Sequence, residues 1–162
     1  MKPTFQFLVS RPHRFFALGC GLGLAPVAPG TFGTLGGFVL AWALLGLPVW
    51  AWSVVLVLCF ALGCWICDEA GRALGVPDHG SIVWDEIVAF AWVLLCAPFT
   101  WWAWIAAFLL FRFFDVLKPW PIHLADARFK NGFGVMFDDF LAAIYAIAVM
   151  LGGLALWHWA GK

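Results

Sequence analysis

Charged side chains are scarce in this chain: only 11% of its 162 residues are Asp, Glu, Lys or Arg. Three long stretches, residues 15–67, 87–111 and 140–161, contain none of these four residue types. Soluble domains carry charge along most of their surface segments, so this pattern excludes an ordinary soluble domain. The formal net charge is +0, which gives no indication of a nucleic-acid partner.

The residues that remain are strongly apolar, since 65% are hydrophobic, 12 are tryptophan and the mean hydropathy is +0.97. This composition is typical of integral membrane proteins. We therefore predict an all-α fold, a polytopic membrane helix bundle with about five membrane-embedded helices, in one domain over residues 1–162.

The first uncharged stretch, 15–67, is long enough for two crossings, because about 20 residues span a ~30 Å hydrocarbon core. A Gly-Leu-Pro sequence at 46–48 predicts the turn between them. The part before the turn, 35–45, is helix-like, and 50–67 forms a full span. The sequence leaves open whether residues 1–33 cross, re-enter or lie on the membrane.

The second uncharged stretch, 87–111, has a proline and paired tryptophans at its centre. Tryptophan gathers at the headgroup level and proline interrupts helices, so we predict an interfacial turn here rather than one tilted helix. The remaining predicted helices are 82–97, 101–117 and 138–157.

Five alternating spans would bring all the acidic residues to one face of the membrane. The turns on the opposite face, at 46–50 and 97–102, carry no charged residue. By the positive-inside rule, the charged face is predicted to be cytoplasmic.

Five carboxylates belong to the predicted membrane-embedded helices. Exposed to lipid, each would cost about 2.5 to 3.5 kcal/mol, and together they would cost on the order of 10 to 15 kcal/mol, comparable with the stability of a whole domain. We therefore predict that they face one another and share a cation. These residues are Asp85, Glu86, Asp115, Asp138 and Asp139.

The charged segments offer carboxylate oxygens as ligands and contain no cysteine. This set of ligands favours Mg²⁺, or Mn²⁺, over zinc or copper. Neighbouring acids on a helix point about 100° apart, so only one of each adjacent pair can aim fully at one ion. Asp85, Asp138 and Glu86 are the preferred ligands, in that order. The alternative is that these acids cap helix N-termini and complement the helix dipole.

Arg112, Asp115 and Lys118 lie three residues apart and so share one face of a helix. Beside a metal cluster, a guanidinium and an ammonium group suit a phosphate. An ion-pair ladder at the helix end is the alternative.

A glycine-rich stretch, with Gly30, Thr31 and Thr34, directly precedes a predicted apolar helix. Its backbone N–H groups could bind an anion, such as a substrate phosphate, at a helix N-terminus. A flexible loop without a ligand explains the same glycines, and the stretch lacks the spacing of a nucleotide-binding P-loop.

Four segments of the chain resemble, in order, the motifs of the phosphatidylglycerophosphatase A family. They are GLAPVAPGTFGTLGG (23–37), HGSIVWDEIVAF (79–90), FRFFDVLKPWPI (111–122) and NGFGVMFDDFLAAIYA (131–146). The resemblance implies a Mg²⁺-dependent phosphatase of the bacterial inner membrane that removes phosphate from phosphatidylglycerophosphate during phospholipid synthesis. The five acids match the family's acidic positions, whereas Ala89 stands where many relatives have glycine.

Residues and resemblance together predict hydrolysis by metal-activated water, with Asp85, Glu86, Asp139 and Arg112 as the catalytic residues and a membrane phospholipid as the partner. An aspartyl-phosphate on Asp85 or Asp139 is the rival chemistry, and other lipid phosphates are rival substrates. An ion or proton transporter and a purely structural membrane subunit are the alternatives outside phosphatases. No obligate protein partner is evident, and headgroup selectivity follows from the resemblance alone.

Overall fold

A computed structural model describes residues 2–161, and within this range all regular secondary structure is helical. The predicted all-α class is therefore confirmed. A 3₁₀ segment, Gly19–Leu24, connects the second and third helices. The α-helices are α1 (Phe5–Val9), α2 (Pro12–Ala17), α3 (Pro29–Leu44), α4 (Val49–Leu74), α5 (Trp84–Cys96), α6 (Trp101–Leu117), α7 (Ile122–Arg128) and α8 (Gly132–Ala160).

Two of these helices, α4 and α8, are long and apolar enough to cross a membrane. They contain 26 and 29 residues, whereas α3, α5 and α6 contain 16, 13 and 17. At ~1.5 Å per residue, the three shorter helices are ~24, ~20 and ~26 Å long. The structure thus supports a membrane protein, and the total of five embedded helices stays a prediction.

The helix breaks lie where the sequence predicts them. One separates α3 from α4 at 45–48, and the other separates α5 from α6 at 97–100. The bounds of α6 agree with the predicted helix 101–117. Gly46 and Pro48 interrupt the first uncharged stretch and Pro98 interrupts the second, so these breaks depend on local backbone chemistry.

Three predicted helix ends are wrong. Helix α3 begins at Pro29 rather than at residue 35, because proline needs no N–H partner in the first turn. Helix α4 continues past residue 67 to Leu74, where Gly75 caps it in a left-handed conformation. Helix α8 begins at Gly132 rather than at 138, since the Asn131 side chain accepts a hydrogen bond from the Gly134 N–H.

The interior of the bundle consists of aromatic rings and closely packed alanines. Phe90 on α5 is fully buried and packs edge-on against Phe38 of α3, with ring centroids 4.9 Å apart. Helix α5 lies between α3 and α8, and α8 also packs against α4, α6 and α7. Small residues let helices approach closely in such a bundle. Those of α8 that are fully buried are Ala142, Ala143 and Ala146.

The outer surface is apolar, as expected for a lipid-facing bundle. Five strongly exposed tryptophans lie near helix ends on the side away from the cavity, where they fit an interfacial aromatic belt. They are Trp42, Trp50, Trp101, Trp157 and Trp159.

Candidate active site

An open cavity of about 270 Å³ lies where α3 and α5 begin, where α6 ends and next to the second turn of α8. All five acids of the predicted cluster line it, together with both predicted phosphate-binding cations. The predicted convergence of carboxylates from separate helices at one end of the bundle is therefore present. The polar residues of its lining are Asp78, Asp85, Glu86, Arg112, Asp115, Lys118, Asp138 and Asp139.

Asp85, Glu86 and Asp139 form the first carboxylate group, in which one oxygen of each side chain lies within 4.8 Å of the others. Asp85 and Glu86 occupy the first turn of α5, and Asp139 comes from α8. Asp85 is only 6% exposed and Asp139 only 4%. Three carboxylates this close and this poorly hydrated repel one another strongly unless a cation lies between them.

Each member of the first carboxylate group has a buried oxygen without a hydrogen-bond partner among the described residues: Oδ1 of Asp85, Oε2 of Glu86 and Oδ2 of Asp139. Such oxygens are rare in folded proteins because leaving them unpaired is costly. Converging, unpaired carboxylate oxygens are ligands suited to a hard divalent cation such as Mg²⁺. The residues present therefore fit the implied ion.

Asp138 lies in a different group from its neighbour Asp139. Its side chain approaches Asp78 and Asp126, with one oxygen of each within 4.8 Å of the others. Lys118 donates to Asp138 Oδ2, and its Nζ lies 3.4 Å from Asp126 Oδ1. Asp139 thus lies beside Asp85 and Glu86, whereas Asp138 lies in the second group, where its Oδ1 is also buried without a hydrogen-bond partner among the described residues. The assignment of Asp138 as a metal ligand stays a prediction. A lysine already supplies positive charge to the Asp138 group.

Lys118 follows the last residue of α6 in a left-handed conformation, with φ 42°. Burial by itself lowers the pKa of its ammonium, but the carboxylates of Asp138, Asp139 and Asp126 outweigh burial and raise the pKa overall. The side chain therefore stays a cation, available to a phosphate at the edge of the cavity.

Arg112 connects three helices at the same place. Its Nη1 donates to Asp115 Oδ2 on α6, lies 3.6 Å from Glu86 Oε1 on α5, and lies 3.4 Å from Thr34 Oγ1 on α3. Asp115 belongs to neither carboxylate group within the described range. The contact with Asp115 orients the Arg112 guanidinium. The predicted ion-pair ladder along α6 does not extend from Asp115 to Lys118, because Lys118 bonds to Asp138 instead.

The glycine-rich stretch lies inside the first turns of α3, not before a helix as predicted. Gly30 lines the cavity. The Thr31 N–H bonds to the Ala28 carbonyl at 2.9 Å, and the fully buried Thr34 hydroxyl donates to the Gly30 carbonyl at 2.9 Å. A flexible loop is therefore the wrong description of this segment.

The position of Asp138 and Asp139 also bears on the capping alternative. Both lie in the second turn of α8, where Asn131 already caps the helix, so neither is an N-terminal cap. Asp85 and Glu86 do lie in a first turn, where they complement the helix dipole.

Sequence reasoning missed Asp78 and Asp126, which join Asp138. Asp78 lies in the turn before α5, and Asp126 lies on the short helix α7. In the sequence, nothing distinguishes these two acids except that they lie in the charged segments. Asp68, by contrast, does not line the cavity: it accepts from the Gly132 N–H, which fixes the start of α8, and it pairs with Arg72 at 2.6 Å.

The sequence model of the phosphatidylglycerophosphatase A family matches residues 15–154, which include every residue that lines the cavity. The chain belongs to this family. Family membership makes it an enzyme, a phosphatase, and the four motifs recognised in the sequence all fall within the matched range.

Two relatives named phosphatidylglycerophosphatase A cover most of the chain. The protein from Haemophilus influenzae is 47% identical over 160 residues, which are 98% of this chain and 96% of that protein. The protein from Escherichia coli K12 is 37% identical over 143 residues, 88% of this chain and 83% of that protein.

A Bacteroides thetaiotaomicron protein with the provisional name phosphatidylinositol-3-phosphatase is 36% identical over 140 residues, 82% of this chain and 87% of that protein. The chain is thus also similar in sequence to a protein named for a different phospholipid headgroup. No solved structure matches the chain.

Proposed function

We propose that this chain is a Mg²⁺-dependent phosphatase that hydrolyses phosphatidylglycerophosphate to phosphatidylglycerol and phosphate. The observation that carries the proposal is the first carboxylate group, with its three unpaired buried oxygens, beside the Arg112 guanidinium. The names of the two phosphatidylglycerophosphatase relatives support the substrate.

Asp85, Glu86 and Asp139 would hold the metal. When bound, Mg²⁺ supplies neutralisation of phosphoryl charge and a lowered pKa for water, which favours attack on phosphorus. Asp138 lies outside this group and bonds to Lys118, so its part is to hold that ammonium in place.

Arg112 and Lys118 would bind the phosphoryl oxygens from the side of α6. Asp115 accepts from one guanidinium nitrogen, and the remaining N–H groups of an arginine can still form a two-pronged contact with phosphate. Such contacts contribute most if they strengthen as charge builds on the phosphoryl group.

The reaction is a hydrolysis with a simple balance of atoms. A water oxygen forms a bond to phosphorus, the bond from phosphorus to the glycerol oxygen breaks, and the water proton is transferred to that leaving oxygen. Buried carboxylates around the attacking water can accept a proton during this step.

The lipid would stay in the membrane throughout. The outside of the bundle is apolar, so the acyl chains of the substrate can remain in one leaflet while the headgroup enters the cavity. We propose that this is the cytoplasmic leaflet of the bacterial inner membrane, because Arg112 and Lys118 line the cavity and Arg72, Arg128 and Lys130 lie at the same end of the bundle.

An aspartyl-phosphate route would use Asp85 or Asp139 as the nucleophile. Single turnover of radiolabelled substrate, followed by acid quench, distinguishes the two routes, because only the aspartyl-phosphate route passes through a phosphorylated protein. We expect labelled phosphate and no phosphorylated protein. A radiolabelled phosphoprotein that forms and decays at the rate of turnover would contradict the water mechanism.

The deciding experiment for the function is phosphate release by the purified protein from a panel of phospholipids in mixed micelles. The panel contains phosphatidylglycerophosphate, phosphatidic acid and phosphatidylinositol 3-phosphate, each with Mg²⁺ and with chelator. We expect phosphatidylglycerophosphate to be the best substrate and chelator to abolish its hydrolysis. Equal rates on all three lipids would contradict the headgroup preference, and full activity with chelator would contradict the metal site.

A further inference from the structure

We infer that Gly30 and Gly33 of α3 are positioning residues that fix the Glu86 carboxylate within the first carboxylate group. The inference rests on the proposed metal site and assigns these glycines a task other than phosphate binding. It follows from the space that their missing side chains leave free.

A methyl group at Gly30 would overlap Glu86 Oε1. A methyl group at Gly33 would lie 3.0 Å from Glu86 Oε2 and 2.7 Å from Val83 Cβ. The two glycines are three residues apart and so lie on the same face of α3. Together they form a shallow hollow in α3 that is occupied by one carboxylate.

Backbone conformation does not explain glycine at either position. Both residues lie in regular α-helix, and neither has the positive φ at which glycine is favoured. Glycine lowers helix stability by about 1 kcal/mol relative to alanine, so two glycines in the first turns of a helix need another reason. Close approach of α3 to the Glu86 side chain provides it.

The charge around the hollow suits a carboxylate. The first turn of α3 presents the positive end of the helix dipole, and Arg112 Nη1 lies 3.6 Å from Glu86 Oε1. These contacts lie on the Oε1 side, whereas Oε2 is buried and unpaired. Both oxygens lie against α3, Oε1 beside Gly30 and Arg112 and Oε2 beside Gly33. The glycines thus hold Glu86 with Oε2 unpaired and available to the cation.

A phosphate in the same place would meet two obstacles. The Glu86 carboxylate already occupies the space beside Gly30, and it would repel a second anion. The Thr31 N–H and the Thr34 hydroxyl already bond to backbone carbonyls within the segment. These two donors are therefore engaged.

A double-mutant cycle tests this assignment. The variants are Gly30→Ala and Gly33→Ala, each made alone and together with Glu86→Asp, whose side chain is one methylene shorter. Gly152→Ala is the control, because a methyl group there would meet nothing within 4 Å and Gly152 is also in a helix. Mn²⁺ binding to the purified proteins is measured by electron paramagnetic resonance, so the readout needs no turnover.

We expect Gly30→Ala to weaken Mn²⁺ binding about tenfold in the Glu86 protein, the usual cost of disturbing a residue that orients a metal ligand. In the Glu86→Asp protein the same substitution should cost less than about twofold, because the shorter side chain leaves room for the methyl group. Gly152→Ala should leave Mn²⁺ binding unchanged.

An equal loss of Mn²⁺ affinity in both backgrounds would overturn the assignment, as would a raised KM for lipid with unchanged Mn²⁺ affinity. Should Gly30→Ala fail to fold, recovery of folding by Glu86→Asp would itself support the steric account, and failure to fold in both backgrounds would overturn it. Gly33→Ala should be relieved only in part by Glu86→Asp, because its methyl group would also lie 2.7 Å from Val83 Cβ. The outcome is separable from the proposed function: the cycle holds if Mn²⁺ binds and no lipid in the panel is hydrolysed.

Discussion

Lys118 and Asp138 join the end of α6 to the second turn of α8 through a direct ion pair in which Asp138 is only 3% exposed. A buried carboxylate left without its partner is costly, so this contact fixes the helix that also carries Asp139. One lysine therefore links the stability of the bundle to the geometry of the metal site.

Lys118→Met should destabilise the protein by about 2 kcal/mol, the usual range for a hydrogen bond to a charged group whose partner stays buried. Denaturant unfolding in detergent measures this loss. Lys130→Met is the matched control, since Lys130 reaches Asp126 only at 3.5 Å on the exposed surface, and it should cost less than about 0.5 kcal/mol. Equal losses for the two variants would contradict the structural role of Lys118.

Asp85→Asn should lower kcat at least about a hundredfold and weaken Mn²⁺ binding, because it removes a buried anionic ligand at nearly constant volume. Phosphate release from phosphatidylglycerophosphate measures the first effect. Glu69→Gln serves as the control: Glu69 lies on α4 outside the cavity, paired with Arg72 at 3.4 Å. Retained activity in Asp85→Asn would remove the basis of the proposed mechanism.

The neighbours Asp138 and Asp139 should respond differently to the same substitution. Asp139→Asn should weaken Mn²⁺ binding about tenfold or more, because Asp139 belongs to the first carboxylate group. Asp138→Asn should change Mn²⁺ affinity less than Asp139→Asn does. It should lower the free energy of unfolding more, because it removes the ion pair with Lys118. A larger loss of Mn²⁺ affinity in Asp138→Asn than in Asp139→Asn would instead support Asp138 as a metal ligand, as the sequence predicts.

Arg112→Lys should reduce kcat/KM about ten- to a hundredfold, since an ammonium keeps the charge but loses the planar fork that matches a phosphoryl group. Asp115→Asn tests the orienting contact and should give a smaller loss, with Mn²⁺ affinity unchanged. Lipid kinetics and Mn²⁺ titration separate the two effects. A tenfold loss of metal affinity in Asp115→Asn would make Asp115 a ligand instead.

Metal removal should leave the helices intact but lower the stability of the bundle. Binding to the folded state alone stabilises by about 2.7 kcal/mol when Mg²⁺ is at 100 times its Kd. Thermal unfolding with Mg²⁺ and with chelator measures this difference, and Asp85→Asn should abolish it. An identical shift in wild type and Asp85→Asn would indicate that Mg²⁺ acts elsewhere.

The gathering of the acids at one end was predictable because successive helices of a membrane bundle alternate in direction. Once breaks were placed at 46–48 and near Pro98, Asp85, Arg112 and Asp138 had to lie at the same end. The helix starts were harder. Helix α8 begins six residues early because Asn131 and Asp68 satisfy its first N–H groups, and the Asp68 contact spans 64 positions of the chain.

The sequence by itself determined the helical class, the positions of the breaks, the apolar exterior and the set of acids and cations that meet. Each of these follows from local composition, from the cost of charge in lipid, or from helix direction. Only the tertiary structure decided that Asp139 joins Asp85 and Glu86 while Asp138 bonds to Lys118, and that Glu86 lies in a hollow of α3. These choices depend on how each helix is rotated about its axis. Packing between segments that are distant in sequence sets that rotation, and the buried Ala142 and Ala146 of α8 are part of this packing.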